Sequence, residues 1–241
     1  MNLNDYKVLT FDCYGTLIDW EAGIWDALQP LIMANGRSDI MRGQALETHA
    51  MLESQQETET PGMLYSDVLT RIHGQFAAKF ELRSNEQLDA DFGRSILHWP
   101  AFPDTADALR YLQTRYKLVV LSNVSREGFA ASNRKLGVEF DAIYTAEDIG
   151  SYKPAAGNFE YLFEHLKQDL GLERADILHT AQSLFHDHVP AKNFGLANAW
   201  IDRQHLSASG SRGATAKVSE QPEVDFLFFS MGEMADAVKA G

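Results

Sequence analysis

Apolar residues recur along this chain with two different periods. Near the start, KVLTF at 7–11 is a short apolar run closed by Asp12, and Gly15 and Thr16 then break the pattern. That predicts a buried strand ending in a sharp turn. From Trp20 to about Leu97 the period is helical, as in Leu64, Val68, Ile72, Phe76 and Phe80. Helices are predicted over 21–34, 39–56, 63–81 and 85–97, with breaks of turn composition at Asn35-Gly36, Pro61-Gly62 and Ser84-Asn85. HWPAFPD at 98–104 reads as a linker.

Beyond the linker, helices and strands alternate. Helix 105–115 precedes strand KLVVLSN (117–123), and helix 126–136 leads to strand DAIYT (141–145). Helix 156–168 leads to DILHTA (176–181), and helix 187–194 to NAWID (198–202). A Ser/Gly-rich loop, SASGSRGAT, then precedes strand DFLFF (225–229) and a last helix, 231–239. Such alternation predicts an α/β fold, a doubly wound, mostly parallel sheet of Rossmann-like type. The first strand is separated from the others by an all-helical insertion. The expected division is therefore a core of 1–17 and 101–241 and a helical cap of 18–100. Ligands of such sheets bind beyond the carboxyl ends of the strands. That edge carries Asp12, Ser122-Asn123 and the segment from Gln182 to Asp187, with Lys153 in reach and the cap leaving from the same place.

Composition narrows the partners. The chain's 241 residues, 45% of them hydrophobic, suffice for a real core. A net charge of −13 argues against nucleic acid or an anionic membrane as partner, and means an anionic substrate needs a local basic site. Cys13 is the one cysteine, so no internal disulfide forms. MNLNDYK lacks the apolar run of a signal peptide, and runs such as FLFF (226–229) are too short to span a bilayer. A cytoplasmic protein is expected. The apolar faces of the cap helices are open to two uses, packing on each other or a homodimer interface.

Four short segments line up on the predicted ligand edge: FDCYGTL, LSN, SYKP and AQSLFHD. Together they resemble the haloacid dehalogenase superfamily, whose domains carry a nucleophilic Asp, a Ser/Thr, a Lys and a terminal acidic motif in that order. The chemistry of the residues agrees. A carboxylate at a strand end can attack an electrophilic atom and split one displacement into two easier steps, the role expected of Asp12. Backbone N–H groups of the turn Cys13-Tyr14-Gly15 can hold negative charge. Ser122 and Asn123 offer donors to a substrate carboxylate or phosphate. Lys153 would neutralise charge on Asp12 and on the ester, and Asp187 would hold Lys153 or orient the hydrolytic water. Trp20 lies where the chain leaves the site for the cap. His179, His186 and His188 suit neutral hydrogen bonding better than metal ligation, and Glu47, Glu53, Glu57 and Glu59 read as a solvated helix face.

The phosphatases of the superfamily resemble DxD at the first motif, with a terminal acidic pair that helps hold Mg²⁺. Here Tyr14 replaces the second acid, and Ser183 stands where the terminal motif would supply another. One hard oxygen ligand is missing from each half, as is the general acid of a phosphomonoesterase. Neither a metal nor another cofactor is expected. The DxYGT pattern is similar to the 2-haloacid dehalogenase branch, in which Asp attacks the α-carbon of a small carboxylic acid, halide leaves, and water cleaves the ester. That resemblance makes Asp12 the nucleophile and Thr16 its support. Ser122 and Asn123 would bind substrate, Lys153 would stabilise charge and Asp187 would assist hydrolysis. Around the substrate the chain departs from the pattern. Phe159 stands where that branch has Tyr, Gln182 and Leu184 where it has Ser and Asn, and Arg37 and Arg42 both compete for the place of its cap Arg. The chain also resembles the azetidine-2-carboxylate hydrolase type, with its FDCYGT opening and helical cap. There a protonated, strained ring nitrogen would leave in place of halide, which suits an acidic, aromatic cap. A non-catalytic binding protein on the same fold is a third alternative, disfavoured by the pairing of Asp12 with Lys153.

Overall fold

The computed structural model describes residues 1–209, 218 and 221–241. Strand β1 (Val8–Phe11) is followed by helices α1 (Trp20–Ala34), α2 (Arg42–Glu59), α3 (Tyr65–Lys79) and α4 (Glu86–Arg94). Then come α5 (Thr105–Leu112), β2 (Lys117–Ser122), α6 (Arg126–Leu136), β3 (Ala142–Thr145), α7 (Ala146–Ile149) and α8 (Ala156–Leu170). The chain closes with β4 (Ile177–Ala181), α9 (Val189–Asn193), β5 (Ala197–Ile201), α10 (Leu206–Ser209), β6 (Phe226–Phe228) and α11 (Met231–Ala240). The predicted Ser/Gly-rich loop falls from residue 210 onward outside the described residues.

The six strands form one sheet in the order β3-β2-β1-β4-β5-β6, and every described pair is parallel. β1 is central and buried along its whole length, as a strand covered on both faces must be. The two-residue period of a strand divides the core. Leu9, Phe11, Leu118, Val120 and Leu178 face one layer with α5, α6 and α11, where Leu109, Phe129 and Met234 pack. Val8, Val119, Leu121 and Ile177 face the other layer with α8 and α9, where Phe159, Leu162 and Ala191 pack. The order places both neighbours of β1 at chain crossovers, so the crevice beyond its carboxyl end is open to a ligand.

The helical block α1–α4 leaves and rejoins the core at one narrow crossing. Asp19 N donates to Pro100 O at 2.8 Å and Phe102 N to Leu17 O at 3.2 Å. Asp19 also caps α1, its side chain accepting from Ala22 N at 3.0 Å. Gly23 is required here: a Cβ at that position would stand 2.3 Å from Trp99 Cγ, so α1 can lie against the returning chain only without a side chain. Element ends differ modestly from the sequence pattern. The helix expected over 85–97 finishes as a 3₁₀ turn, Ser95–His98, and the one expected at 187–194 starts as a π-type turn, Leu184–His188. Among the described residues no helix is long and apolar enough to cross a membrane.

Candidate active site

Asp12 follows β1 directly, and the turn behind it is built around Gly15 at φ +93°, a left-handed value that disfavours any side chain. Gly15 N donates to Ile18 O at 2.8 Å, so this amide of the expected anion-holding turn closes the turn itself. Thr16 Oγ1 donates to Asp12 Oδ2 at 2.9 Å and accepts from Gln182 N at 2.9 Å, which ties the first motif to the end of β4. Cys13 is fully buried, and its side chain belongs to the core rather than to a cavity wall.

Lys153 is 1% exposed and donates three bonds: 2.9 Å to Asp12 Oδ1, 2.6 Å to Asp187 Oδ1 and 3.0 Å to Leu121 O. All three ammonium hydrogens are engaged. Asn123 holds the lysine's main chain from both sides, accepting from Lys153 N at 2.6 Å and donating to Lys153 O at 3.0 Å. Ser122 is buried beside it, and its hydroxyl finds no partner among the described residues. Burial opposes charge on all three central groups. For Lys153 the two carboxylates outweigh it and raise the pKa, and for Asp187 the nearby Lys153 and His179 hold the carboxyl below the usual range. Asp12 is pushed up by burial and by Asp187, against the pull of Lys153. The arrangement keeps one carboxylate oxygen of a buried aspartate close to a fixed positive charge, as a carboxylate nucleophile requires.

Above this triad lies a cavity of about 80 Å³, room for a small acid. Its floor is Asp12, Asn123, Lys153 and Asp187, with Ser183, Gln182 and His186 at one side. Trp20, the first residue of α1, and Tyr14 form aromatic wall, Tyr14 stacked at 6.3 Å on Tyr65 of α3 and bonded at 3.0 Å to Ser132. The roof is α2, and there the sequence expectation is corrected. Glu47 and Glu59 are exposed as read, but Glu53 and Glu57 turn inward and line the cavity. Glu57 is 6% exposed, its carboxylate 3.5 Å from Asn123 Nδ2. Tyr65 donates to Glu53. Burial and the adjacent Glu53 push the Glu57 carboxyl well up. Burial also works against the Glu53 carboxylate, but the His49 ring at 3.8 Å and the Tyr65 hydroxyl more than offset it. The signal was in the sequence: His49, Glu53 and Glu57 recur every four residues, a polar stripe on one face of a helix. Neither candidate cap arginine reaches the cavity. Arg37 pairs with Asp39, and Arg42 lies 3.8 Å from Glu21 outside it.

The same geometry decides whether a Mg²⁺ ion suits the site. Lys153 Nζ bridges Asp12 Oδ1 and Asp187 Oδ1, Tyr14 and Ser183 supply no carboxylate, and no group of three or more His, Cys, Asp or Glu side chains among the described residues is placed to hold a metal ion. The donor set does not fit a divalent ion.

A haloacid dehalogenase-like hydrolase family model matches residues 6–179, from just before β1 into β4. The chain belongs to the haloacid dehalogenase-like hydrolase family. It is an enzyme of the hydrolase class by that membership, and the matched residues span three of the four segments first noted, FDCYGTL, LSN and SYKP. Solved structures of the same fold include an L-2-haloacid dehalogenase from Xanthobacter autotrophicus with chloropropionic acid covalently bound. It is 19% identical, covers 97% of this chain and 98% of its own, and superposes with a TM-score of 0.76. A defluorinating L-2-haloacid dehalogenase is 16% identical over 99% of this chain and 98% of its own, TM-score 0.76. A HAD-hydrolase of Bacillus subtilis bound to magnesium is 18% identical over 97% and 99%, TM-score 0.75. At such identities these likenesses establish the fold. No curated protein matches the chain.

Proposed function

We propose that this hydrolase displaces a substituent from the α-carbon of a small carboxylic acid through an Asp12 ester, and that the substituent is a protonated, strained ring nitrogen, as in azetidine-2-carboxylate. One observation carries the choice of leaving group: the cavity sets four carboxyl groups, Asp12, Glu53, Glu57 and Asp187, against a single lysine whose hydrogens are all engaged. His186, the remaining basic group of the wall, is kept neutral-leaning by burial. An anionic 2-halo acid would bring further negative charge to this enclosure, and its halide would depart towards Glu53 and Glu57. A zwitterionic cyclic amino acid adds no net charge, and its ammonium meets the roof carboxylates directly.

The mechanism follows from the positions of the groups. Asp12 Oδ2 or Oδ1 attacks the α-carbon while the C–N bond breaks and its electron pair returns to nitrogen. Ring strain and prior protonation make the amine a competent leaving group, so no general acid is required and none stands at the Tyr14 position. The substrate carboxylate finds neutral donors in the Ser183 hydroxyl and the Trp20 indole. Water then attacks the ester carbonyl of Asp12, giving back the aspartate and a 2-hydroxy-4-amino acid.

Halide displacement is the competing function, supported by the fold shared with L-2-haloacid dehalogenases. Incubation with azetidine-2-carboxylate and, separately, with 2-chloropropionate separates the two. Ring opening detected by amine analysis without halide release is expected. Halide release with an intact azetidine ring would replace the amine by the halide.

A further inference from the structure

His179 sits in the middle of β4, fully buried, and touches neither the cavity nor Asp12. Its ring is bonded at both ends, with Thr10 Oγ1 2.8 Å from Nδ1 and Asp187 Oδ1 3.0 Å from Nε2. A carboxylate only accepts, so Nε2 carries a hydrogen toward Asp187, and the Thr10 hydroxyl holds the Nδ1 end of the ring. Thr10 is itself buried in β1, one strand away in register with His179. The pair therefore belongs to the rigid centre of the sheet.

The consequence falls on Asp187. Its Oδ1 receives two donors, His179 Nε2 and Lys153 Nζ at 2.6 Å, while its Oδ2 is buried with no protein partner among the described residues. Asp187 lines the cavity from the π-type turn Leu184–His188. A buried carboxylate oxygen without a donor is costly, and because Asp187 is part of the cavity lining an incoming donor can be received there. With Lys153 alone on Oδ1, the carboxylate could rotate and offer either oxygen to the ammonium. His179 fixes which oxygen is which.

We infer that His179 is a positioning residue for the hydrolysis half of the reaction. It pins Asp187 Oδ1 so that Oδ2 receives the water that attacks the ester, an inference that rests on the Asp12 ester proposed above. In that step the water oxygen bonds to the ester carbonyl carbon, and its proton passes to Asp187 Oδ2. Collapse breaks the bond between that carbon and the alkyl oxygen, which takes the proton back from Asp187. Asp12 is left as the acid and loses its proton to solvent, matching the proton taken up by the amine released earlier. Displacement, by contrast, needs Asp12 and Lys153 and no help from His179.

The test compares the wild type with His179→Leu, His179→Gln and Thr10→Val. The probe is azetidine-2-carboxylate or 2-chloropropionate, whichever the wild type turns over. Rapid quenching followed by intact-protein mass measures the Asp12 ester, and product analysis measures turnover. The Leu variant should form the ester at near the wild-type rate, accumulate it, and turn over roughly 100-fold more slowly, as expected for a disabled proton acceptor. Gln keeps an N–H for Asp187 and should recover most of that loss. Thr10→Val leaves the imidazole packed but removes the hydrogen bond at its Nδ1 end. It should accumulate ester to a smaller degree and carries the comparison if the Leu variant does not fold. Ester formation and hydrolysis falling by one factor in all variants, or unchanged turnover in the Leu variant, would overturn the role of His179. A wild type that forms no ester with either probe would instead remove the covalent mechanism, and this inference with it.

Discussion

Glu57 of the cap and Asn123 at the end of β2 meet across the cavity, Oε2 to Nδ2, at 3.5 Å. The same Asn123 amide clamps the main chain of Lys153. The roof acid and the core lysine are thus linked through one side chain.

Glu57→Gln is expected to lower kcat/KM for azetidine-2-carboxylate by roughly 10- to 100-fold, the loss of one charged hydrogen bond to the ammonium. Gln keeps the shape and the contact to Asn123. Steady-state kinetics on both probes make the check: the same variant should not impair any residual action on 2-chloropropionate, whose leaving group gains nothing from a carboxylate.

The pH dependence has a defined sign. An ionised Glu57 binds the ammonium best, and its pKa is raised by burial and by Glu53. The pKa of Asp12, the proposed nucleophile, is also raised, by burial first. Activity should therefore climb with pH through an acid limb lying above the ordinary carboxylate range. In Glu57→Gln the component in KM should disappear while that in kcat stays, measured as separate pH profiles of kcat and kcat/KM.

Asp12→Asn should lose turnover by about 10³-fold or more, because the amide cannot act as the nucleophile. Single turnover of the wild type in ¹⁸O-labelled water should place the label in the Asp12 side chain, read by peptide mass spectrometry. Chelation with EDTA should leave the rate unchanged, since Lys153 already supplies the positive charge beside Asp12 and Asp187. Restoration of a chelated enzyme by Mg²⁺ would contradict that assignment.

Lys153→Met leaves Asp12 and Asp187 buried without their counter-charge. The expected cost is about 3–5 kcal/mol of stability at neutral pH, with loss of activity. Denaturant unfolding at pH 7 and near pH 4 checks it: the deficit should shrink at the lower pH, where protonation of Asp12, whose pKa is raised, removes part of the repulsion.

Gly23→Ala tests the crossing between cap and core. The new methyl meets the buried Trp99 ring at 2.3 Å, so α1 or the returning chain must shift. A loss of about 1–3 kcal/mol is expected from thermal or denaturant melts, with an altered KM as the roof moves off the cavity.

The sequence by itself determined the layered α/β core, the place of the helical insertion and the order of the motif residues. Those features rest on local physics: strand and helix periods, turn residues, and the rule that parallel strands aim their carboxyl ends at one edge. Asp12 and Asp187 were legible for that reason, following the ends of β1 and β4, and Lys153 as a loop residue reaching the same edge. The roof was not. The stripe of His49, Glu53 and Glu57 can be read from the sequence, but whether it faces water or the cavity depends on the rotation of α2 about its axis, which is set by packing against α1 and α3. His179 shows the same limit, for a histidine on a strand reads alike whether it fills the core or steadies a carboxylate. Only the register of β1 beside β4 and the π-type turn after it brought Thr10, His179 and Asp187 into one line. Side chains distant in sequence acquire a shared purpose when the backbone fixes their separation to within a hydrogen bond, and that separation exists only in the folded chain.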